Sequence, residues 1–256
     1  MTPVARMLFI ISATLVAMKI VTLALARAEG VVLGRKATVE FFGWPGMRPS
    51  LFARRRVIDT RAAAAIAMKG ARAMLIGSAL FVIARFVATL AIQHKDVIVT
   101  IIALPALSLM LHFGLFDLVA GFYRWRGVPV DKLFRAPLRA RSLSEFWSRR
   151  WNIGFSEMIA LVVHRPLRRA GENVALAGSF LASGLLHELA ISVPVNAGYG
   201  LPTAYFLLHG ALVAFERKMA RPPGHVWTIF WLAAPMPLLF HPPFLRGVIW
   251  PLVGLG

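Results

Sequence analysis

Residues 174–193 read VALAGSFLASGLLHELAISV, an apolar stretch of 20 residues that contains one histidine, His187, and one glutamate, Glu188. About 20 apolar residues in a helix are enough to cross the hydrocarbon core of a bilayer. The chain has 256 residues, of which 58% are hydrophobic, whereas a soluble domain is about 45–50% apolar. The excess lies in long blocks, so the sequence predicts an all-α, polytopic integral membrane helical bundle.

Other apolar blocks extend this prediction along the chain. Besides residues 174–193, the blocks predicted to cross the membrane are residues 4–26, 73–92, 97–120, 201–215 and 226–240. A last apolar piece, residues 244–255, is broken by glycine and proline. It predicts either a short seventh helix or a re-entrant end. The bundle is therefore expected to contain about 6–8 transmembrane helices.

The N-terminal region, residues 1–26, which contains the first block, has two interpretations. Ala24, Leu25 and Ala26 resemble a signal-peptide cleavage site. The apolar run is long for a signal peptide, however, and Lys19 interrupts its core. The prediction is a helix that is retained rather than cleaved.

The basic residues predict which side of the membrane each loop occupies. Of the 29 Lys and Arg residues, 24 fall in residues 27–72, 121–172 and 217–221, and the predicted spans put these three segments on one side. The links 93–96 and 194–200 contain one lysine between them. Because loops rich in Lys and Arg stay in the cytoplasm, we expect the three basic segments there, in a bacterial inner membrane. The formal net charge of +18 then suits membrane lipids and phosphate-bearing ligands rather than nucleic acid.

The basic segment 27–72 contains two local features. Arg54, Arg55 and Arg56 form its centre. Residues 41–47, FFGWPGM, predict an interfacial turn whose tryptophan, Trp44, would lie at headgroup level.

Several classes of chemistry are excluded by what the sequence lacks. There is no cysteine, which removes disulfides, thiolate metal sites and cysteine nucleophiles. There is no G-x-S-x-G, P-loop or H-E-x-x-H motif, and His and carboxylate residues are too scattered for a metal site. No internal repeat or low-complexity linker is present, so a single domain over residues 1–256 is predicted.

His187 is the first candidate for chemistry. It lies roughly 15–20 Å from the cytoplasmic end of its predicted helix, and an ionisable side chain at such depth is costly and is a functional candidate. Ala175, Ser179, Ser183 and His187 recur every four residues and share one helix face. The small side chains leave room for a substrate, or they mark a close contact with another helix; both interpretations stay open. Glu188 points about 100° away and is expected to pair with another helix.

Residues 142–155, SLSEFWSRRWNIGF, form the second candidate region. Ser142 and Glu145 have the spacing of a capping box, which predicts a helix that begins at about Leu143. The aromatic residues lie near one side of that helix and the arginines on another: Phe146, Trp147, Trp151 and Phe155 against Arg149 and Arg150. This pattern predicts an amphipathic helix in the membrane interface. Asn152, a neutral amide at its end, is expected to hydrogen-bond a substrate or the backbone.

Five short motifs occur in order along residues 44–216. They read WPGM (44–47), HFGLF (112–116), FWSRRWN (146–152), SGLLHE (183–188) and FLLHG (206–210). Together they resemble the wax synthase-like branch of the membrane-bound O-acyltransferase family. The most specific part is the FWxRRWN element, which is followed about 35 residues later by a buried histidine.

The resemblance implies transfer of a fatty acyl group from acyl-CoA to a hydroxyl inside a membrane-embedded chamber, without a further cofactor. It also implies that His187 is the catalytic residue and Asn152 the second active-site position. A neutral imidazole can accept the proton of an alcohol that attacks a thioester. An amide can position the alcohol or hydrogen-bond the developing oxyanion. The expected partners are acyl-CoA, a long-chain alcohol or another lipid acceptor, and membrane lipids.

Five further side chains are assigned to this site. Arg149 and Arg150 suit the phosphates of CoA, although arginines in such segments also serve as topology determinants. Ser183, His209 and Trp151 are expected to line the chamber. For His209, a hydrogen-bonded packing role is equally compatible with the sequence.

An alternative function is a non-enzymatic lipid or ion-coupled transporter. In that case His187, Glu188 and His209 would line a polar pathway through the membrane. An inverted or parallel repeat would favour a transporter, and the sequence shows neither.

Overall fold

A computed structural model describes residues 1–54 and 57–255 of the chain, so Arg55 and Arg56 of the basic segment lie outside the described residues. Within these ranges the regular structure is helical and contains no strand. Among the described residues, four helices are long and apolar enough to cross a membrane: α1 Pro3–Ala28, α2 Thr60–Thr89, α3 Lys95–Trp125 and α4 Glu172–Val195. The prediction of an all-α helical membrane bundle is confirmed.

The rest of the bundle is shorter or broken. Helix α5, Leu201–Glu216, has 16 residues, and helices α6, His225–Leu239, and α7, Pro242–Val253, form a bent pair. Counting that pair as one span gives up to five candidate spans, compared with the 6–8 helices expected. The short helical segments are Arg35–Gly43, Ser50–Ala53, Pro137–Arg139, Leu143–Glu145, Phe146–Arg150, Ile153–Ile159, Ala160–His164, Arg165–Leu167 and Arg168–Ala170.

The chain divides into two compact units. The first unit contains Met1–Met18 and Phe134–Leu245, and the second contains Lys19–Leu133 together with the chain from Arg246 onward. That residues 1–256 act as one domain, with a core at about 44–216, stays a prediction.

In the second unit, α2 packs closely along α3 because small residues face the contact. A Cβ added at Gly70 would lie 2.9 Å from the backbone nitrogen of Leu118, and one added at Gly77 would lie 2.9 Å from that of Met110. Only glycine allows such an approach, and small residues commonly mark helix contacts in membranes. Helix α3 contains Pro105 and then a π-helical stretch, Leu109–Leu115.

Lys19, which interrupts the apolar run of α1, is fully buried and holds the turn that follows the helix Arg35–Gly43. Its ammonium donates hydrogen bonds to the carbonyl oxygens of Phe41 and Gly46, each at 2.8 Å, and lies 3.9 Å from the centre of the Phe41 ring. Backbone carbonyls and an aromatic face are suitable partners for a cation away from water. Lys19 therefore connects α1 to the turn that contains Gly46.

The position of Trp44 at headgroup level stays a prediction, but its side chain packs inside the protein. The side chain is only 2% exposed. Its ring packs edge-on against Tyr123, with 5.9 Å between the ring centres, and Phe52 lies 5.7 Å from the same tyrosine. An aromatic cluster inside the second unit thus buries the tryptophan that the sequence pattern assigned to the interface.

In the first unit, α4 and α5 pack against each other as consecutive helices. The Glu188 carboxylate accepts hydrogen bonds from the backbone N–H groups of Gly200 and Thr203, at 2.9 and 3.1 Å, and from the Thr203 hydroxyl at 2.9 Å. These groups lie at the N-terminus of α5, where a negative charge is stabilising. The prediction that Glu188 pairs with another helix is confirmed.

The Ser142 N-cap predicted just before the FWSRRWN segment is present, whereas Glu145 reaches back to Arg141 instead of Ser142. The Glu145 backbone N–H donates to the Ser142 hydroxyl at 3.0 Å, and helix Leu143–Glu145 begins where predicted. The Glu145 carboxylate accepts from the backbone N–H of Arg141 at 2.8 Å.

The prediction of one unbroken amphipathic helix over residues 143–155 is wrong, because the structure divides this stretch. The helix ends with a π-helical turn, Phe146–Arg150, after which Trp151 is extended and Asn152 is left-handed, with φ of 41°. A new helix, Ile153–Ile159, begins there. Trp151 and Phe155, on the far side of this break, line a cavity in the first unit, as does Trp147 before it.

Candidate active site

The first unit encloses a cavity of about 310 Å³. Its walls come from three parts of the chain, which are residues 144–164, helix α4 and helix α5. Of the side chains assigned to the active site from the sequence, Trp151, Asn152, Ser183 and His187 line it. A largely apolar cavity with a few polar groups is the usual form of a site for a small or lipid-like ligand.

His187 is held so that one ring nitrogen is free to act on a ligand. Its Nδ1 lies 2.7 Å from the backbone carbonyl oxygen of Ser183. A carbonyl only accepts, so Nδ1 carries the hydrogen, and in the neutral imidazole Nε2 is then the unprotonated nitrogen. The ring rests on Phe206, with 4.2 Å between ring centres, and lies edge-on to Phe155 at 6.0 Å. These contacts fix the imidazole in the cavity wall.

The face of α4 below His187 is lined by serines whose hydroxyls are already bonded. Ser179 donates to the carbonyl of Ala175 at 2.7 Å, and Ser183 donates to that of Ser179 at 2.9 Å. Both serines line the cavity. Ala175 is fully buried and is not part of the wall. The stripe of small residues therefore provides room in the cavity, and its hydroxyl donors are used by the helix itself.

Asn152 combines a backbone role with a free amide. Its left-handed conformation is one that asparagine tolerates better than most residues. Its Oδ1 accepts from the backbone N–H of Phe155 at 3.3 Å, which caps the helix Ile153–Ile159. Its NH₂ group makes no hydrogen bond within the described part of the chain. The sequence left substrate and backbone open as partners, and the structure shows the backbone contact.

Glu216 is a structural residue that the sequence analysis missed. It is buried at the end of α5, and its carboxylate accepts from the backbone N–H groups of Leu143 and Ser144 at 2.7 and 2.9 Å. It also accepts from the indole N–H of Trp227 at 2.9 Å. The sequence feature that could have identified it is an acidic residue at the end of an otherwise apolar helix. The carboxylate connects α5 to the start of the FWSRRWN segment, and so joins two walls of the cavity.

The two arginines assigned to CoA phosphates differ in their surroundings. Arg150 is bonded to Glu145 at 2.6 Å and to the carbonyl oxygens of Arg135 and Ala136 at 3.1 and 3.2 Å. The backbone N–H of Arg141, and after it the Arg150 guanidinium, hold the pKa of the Glu145 carboxyl below its usual value.

Arg149 is exposed and makes no hydrogen bond or ion pair with the residues that the structure describes. Neither Arg149 nor Arg150 lines the cavity. Arg217 does, and it is the one permanently charged side chain among the described lining residues. It follows Glu216 directly, at the same end of α5 as Ser144. Phosphate binding by Arg149 and Arg150 stays a prediction.

His209 lies behind the wall instead of lining it. The side chain is fully buried, and its Nε2 donates to the carbonyl oxygen of Trp231 at 3.0 Å. The structure thus gives it the packing role that the sequence left open. His187 faces the cavity, Glu188 caps α5 and His209 bonds α6, so these three residues do not form the polar pathway that the transporter alternative needs.

Sequence comparison relates the segment that carries most of the cavity wall to a known family. The model of a family described as "Membrane bound O-acyl transferase family" matches residues 130–208. Residues 130–208 are thus similar to the membrane-bound O-acyltransferases. The matched segment contains Asn152 and His187 and most of the cavity wall, whereas Glu216 and Arg217 lie beyond it. The resemblance inferred from the motifs is confirmed, and the chain is a multi-pass membrane protein.

Three relatives are named for one activity. The chain is 35% identical over 105 residues to the probable long-chain-alcohol O-fatty-acyltransferase 1 of Arabidopsis thaliana, across 37% of this chain and 31% of that protein. It is 31% identical over 141 residues to the probable enzyme 2 of that plant, across 47% and 41%. It is 33% identical over 100 residues to the long-chain-alcohol O-fatty-acyltransferase of Simmondsia chinensis, across 35% and 28%. The matches thus span less than half the length of these relatives.

Proposed function

We propose that this protein is a membrane-embedded acyltransferase that moves a fatty acyl group from acyl-CoA to the hydroxyl of a lipophilic alcohol. The observation that carries the proposal is the geometry of His187, whose Nδ1–H is bonded to the Ser183 carbonyl and whose Nε2 is left to a ligand in the cavity. The O-acyltransferase segment and the names of the plant relatives support the reaction type.

In the proposed reaction His187 is the general base. Its Nε2 accepts the proton of the acceptor hydroxyl while that oxygen bonds to the thioester carbon. The sulfur leaves as the C–S bond breaks, and the imidazolium returns its proton to the thiolate. Holding a water-soluble donor and a lipid acceptor in one site contributes through proximity. Asn152 lines the same cavity, and we propose that its NH₂ group donates a hydrogen bond to the reacting groups.

The donor is proposed to enter at the end of the cavity marked by Arg217 and Ser144. Both residues belong to segments whose Lys and Arg content predicts a cytoplasmic location, where acyl-CoA would arrive. Arg217 is in place to pair with an anionic group of the donor, and Arg149 is exposed and available for the same purpose. A bacterial inner membrane remains the predicted location.

The acceptor is proposed to be a long-chain alcohol, as in the names of the relatives. Diacylglycerol, a sterol-like alcohol or a sugar hydroxyl are the competing acceptors. The cavity wall favours an apolar molecule, because the serine hydroxyls of α4 are bonded to the helix itself.

The test is an assay of purified, detergent-solubilised protein with radiolabelled fatty acyl-CoA and a panel of acceptors. The panel contains long-chain alcohols, diacylglycerol and a sterol. We expect a labelled wax ester with long-chain alcohols. Ester with none of these acceptors, from protein that is folded by circular dichroism, would contradict the proposal.

A further inference from the structure

A second side chain in the cavity wall has a hydrogen-bonding group without a partner. Trp147 lines the cavity, and its indole Nε1 is buried and finds no hydrogen-bond acceptor among the described residues. By contrast, the indole N–H of Trp227 donates to Glu216 and that of Trp250 donates to Thr100, each at 2.9 Å.

This unpaired donor is costly for the protein alone. Buried polar groups are paired in the large majority of cases, and an unsatisfied one needs an explanation. Leaving a buried N–H without an acceptor destabilises the protein, because the group has lost its hydrogen bond to water. An acceptor that arrives with the ligand would remove that cost, and a substrate cavity is where such a ligand binds.

The Trp147 indole and the His187 imidazole both contact the ring of Phe206. The indole ring centre is 5.3 Å from that of Phe206, and the His187 imidazole lies on the same phenyl ring at 4.2 Å. The segment is held in place from the other side, because the Ser156 hydroxyl donates to the Trp147 carbonyl at 2.6 Å. The Trp147 ring is therefore held in the same cavity wall as the proposed base.

We propose that the Trp147 N–H donates a hydrogen bond to the carbonyl oxygen of the acyl donor and stabilises the oxyanion during transfer. The inference rests on the proposed function. As the alcohol oxygen bonds to the carbonyl carbon, its proton passes to Nε2 of His187 and the carbonyl π electrons move onto oxygen. When the carbonyl re-forms, the C–S bond breaks and the thiolate takes the proton from the imidazolium. A donor placed at the oxyanion lowers the barrier because the charge develops only in the transition state.

This assignment also separates the roles of two side chains. With Trp147 on the carbonyl oxygen, the NH₂ group of Asn152 is available to position the acceptor hydroxyl. The sequence left Asn152 with both roles.

The first experiment replaces Trp147 with β-(3-benzothienyl)alanine by nonsense suppression, which keeps the bicyclic shape and removes the N–H. We expect kcat for ester formation to fall by about 10²–10³-fold, the usual effect of losing one oxyanion donor, with little change in KM for the acyl donor. The same replacement at Trp125, which is 59% exposed and outside the cavity wall, serves as the matched control and leaves kcat unchanged. Wild-type kcat in the Trp147 variant would overturn the inference.

A binding experiment separates the hydrogen bond from packing and does not need turnover. S-(2-oxoheptadecyl)-CoA and S-heptadecyl-CoA differ by one carbonyl oxygen, and neither can transfer its chain. We expect wild-type protein to prefer the oxo compound by about tenfold, since one good hydrogen bond contributes about 1.4 kcal/mol. The benzothienyl variant, or Trp147→Phe if that variant does not fold, loses this preference. An equal preference in variant and wild type would overturn the inference.

These outcomes also distinguish the inference from the function on which it rests. Active wild-type protein with an equally active Trp147 variant removes only the role of Trp147. If wild-type protein forms no ester and binds neither CoA compound, the proposed function fails and the inference fails with it.

Discussion

The side chains of His187 and Asn152 each bond the backbone through one polar atom, and their second polar atom is available to a ligand in the cavity. Nδ1–H of His187 is bonded to the Ser183 carbonyl, and Oδ1 of Asn152 caps a helix. The resemblance predicted both positions. It did not predict this division, because the division depends on the left-handed backbone of Asn152 and on the side-chain conformation of His187, which residue spacing does not encode.

Substitutions at Asn152 can separate its two roles. Asn152→Asp keeps an oxygen for the cap and a side chain that tolerates the left-handed backbone, but removes the NH₂ donor. We expect the melting temperature to stay near that of the wild type and ester formation to fall by about 10-fold or more.

Asn152→Ala loses the cap as well, so it should also destabilise the protein by about 1 kcal/mol or more. Thermal unfolding in detergent and the acyl-transfer assay measure the two effects. Full activity in Asn152→Asp would show that the amide donor takes no part in the reaction.

Arg217 is predicted to act on donor binding alone. Arg217 lines the cavity just after the end of α5, eleven residues beyond Phe206, on which the His187 ring lies. Arg217→Ala should therefore raise KM for acyl-CoA by about tenfold, which corresponds to the loss of one charge-assisted hydrogen bond. The value of kcat should hardly change.

Arg221→Ala is the matched control, since Arg221 is exposed in the same basic segment and does not line the cavity. Steady-state kinetics with varied acyl-CoA measures both variants. An equal rise in KM for the two would assign the effect to general surface charge.

At the scale of elements, two buried glutamates at helix junctions organise the first unit. Glu188 caps the start of α5, and Glu216 at its end caps the helix that begins at Leu143. Glu188 and the Ser142 N-cap could be predicted, because a charge inside an apolar run and an S-x-x-E spacing are local signals. The partner of Glu216 could not, because its bonds join residues about 70 positions apart.

The helix break after Arg150 was also beyond the sequence pattern. Periodicity described residues 143–155 as one amphipathic helix, whereas the structure places a left-handed Asn152 within it. The aromatic residues on either side of the break still meet: Trp151 stacks on Phe146, with 5.4 Å between ring centres. The sequence pattern therefore predicted that these aromatic residues lie together, but it did not predict the break in the backbone between them.

Glu216 is predicted to matter for stability. Glu216→Gln loses one acceptor oxygen and the charge, so at least one buried N–H is left without a partner. Hydrogen bonds to charged groups contribute about 1.5–3 kcal/mol each, and we expect the free energy of unfolding to fall by about 3 kcal/mol.

Glu172→Gln is the comparison, because its carboxylate is half-exposed and pairs with Arg168 on the surface, where such pairs contribute about 0–1 kcal/mol. Chemical denaturation in detergent, followed by tryptophan fluorescence, compares them. Equal losses in the two variants would contradict the structural role assigned to Glu216.

At the scale of the whole molecule, hydropathy predicted the all-α class and the approximate positions of the helices. It placed their ends less well, because a charged residue ends an apolar block but does not end a helix. Helix α2 begins at Thr60 and includes Arg61, Lys69 and Arg72, which hydropathy had assigned to a loop. Long basic side chains can extend from a helix end to the aqueous interface.

The predicted sidedness can be tested because the chain has no cysteine. Leu138→Cys and Tyr199→Cys introduce single thiols at positions that are 75% and 57% exposed. Leu138 lies in the basic segment 121–172 and Tyr199 in the link 194–200. A membrane-impermeant maleimide should therefore label Tyr199→Cys in intact cells, and Leu138→Cys only after the membrane is opened.

Wild-type protein gives no label in either condition and serves as the control. The reverse labelling pattern would place the cavity end with Arg217 on the outer side, and would contradict the proposed route of the acyl-CoA donor.

The most direct test of the central claim is the rate of ester formation by His187→Asn in the labelled acyl-CoA assay. The asparagine amide can still donate to the Ser183 carbonyl, but it carries no basic nitrogen in place of Nε2. His94→Asn, at an exposed left-handed position before α3, is the matched control and should keep its activity. If His187 is the general base, ester formation falls by about 10²–10⁴-fold in folded His187→Asn protein. Wild-type rates in that variant would contradict the account.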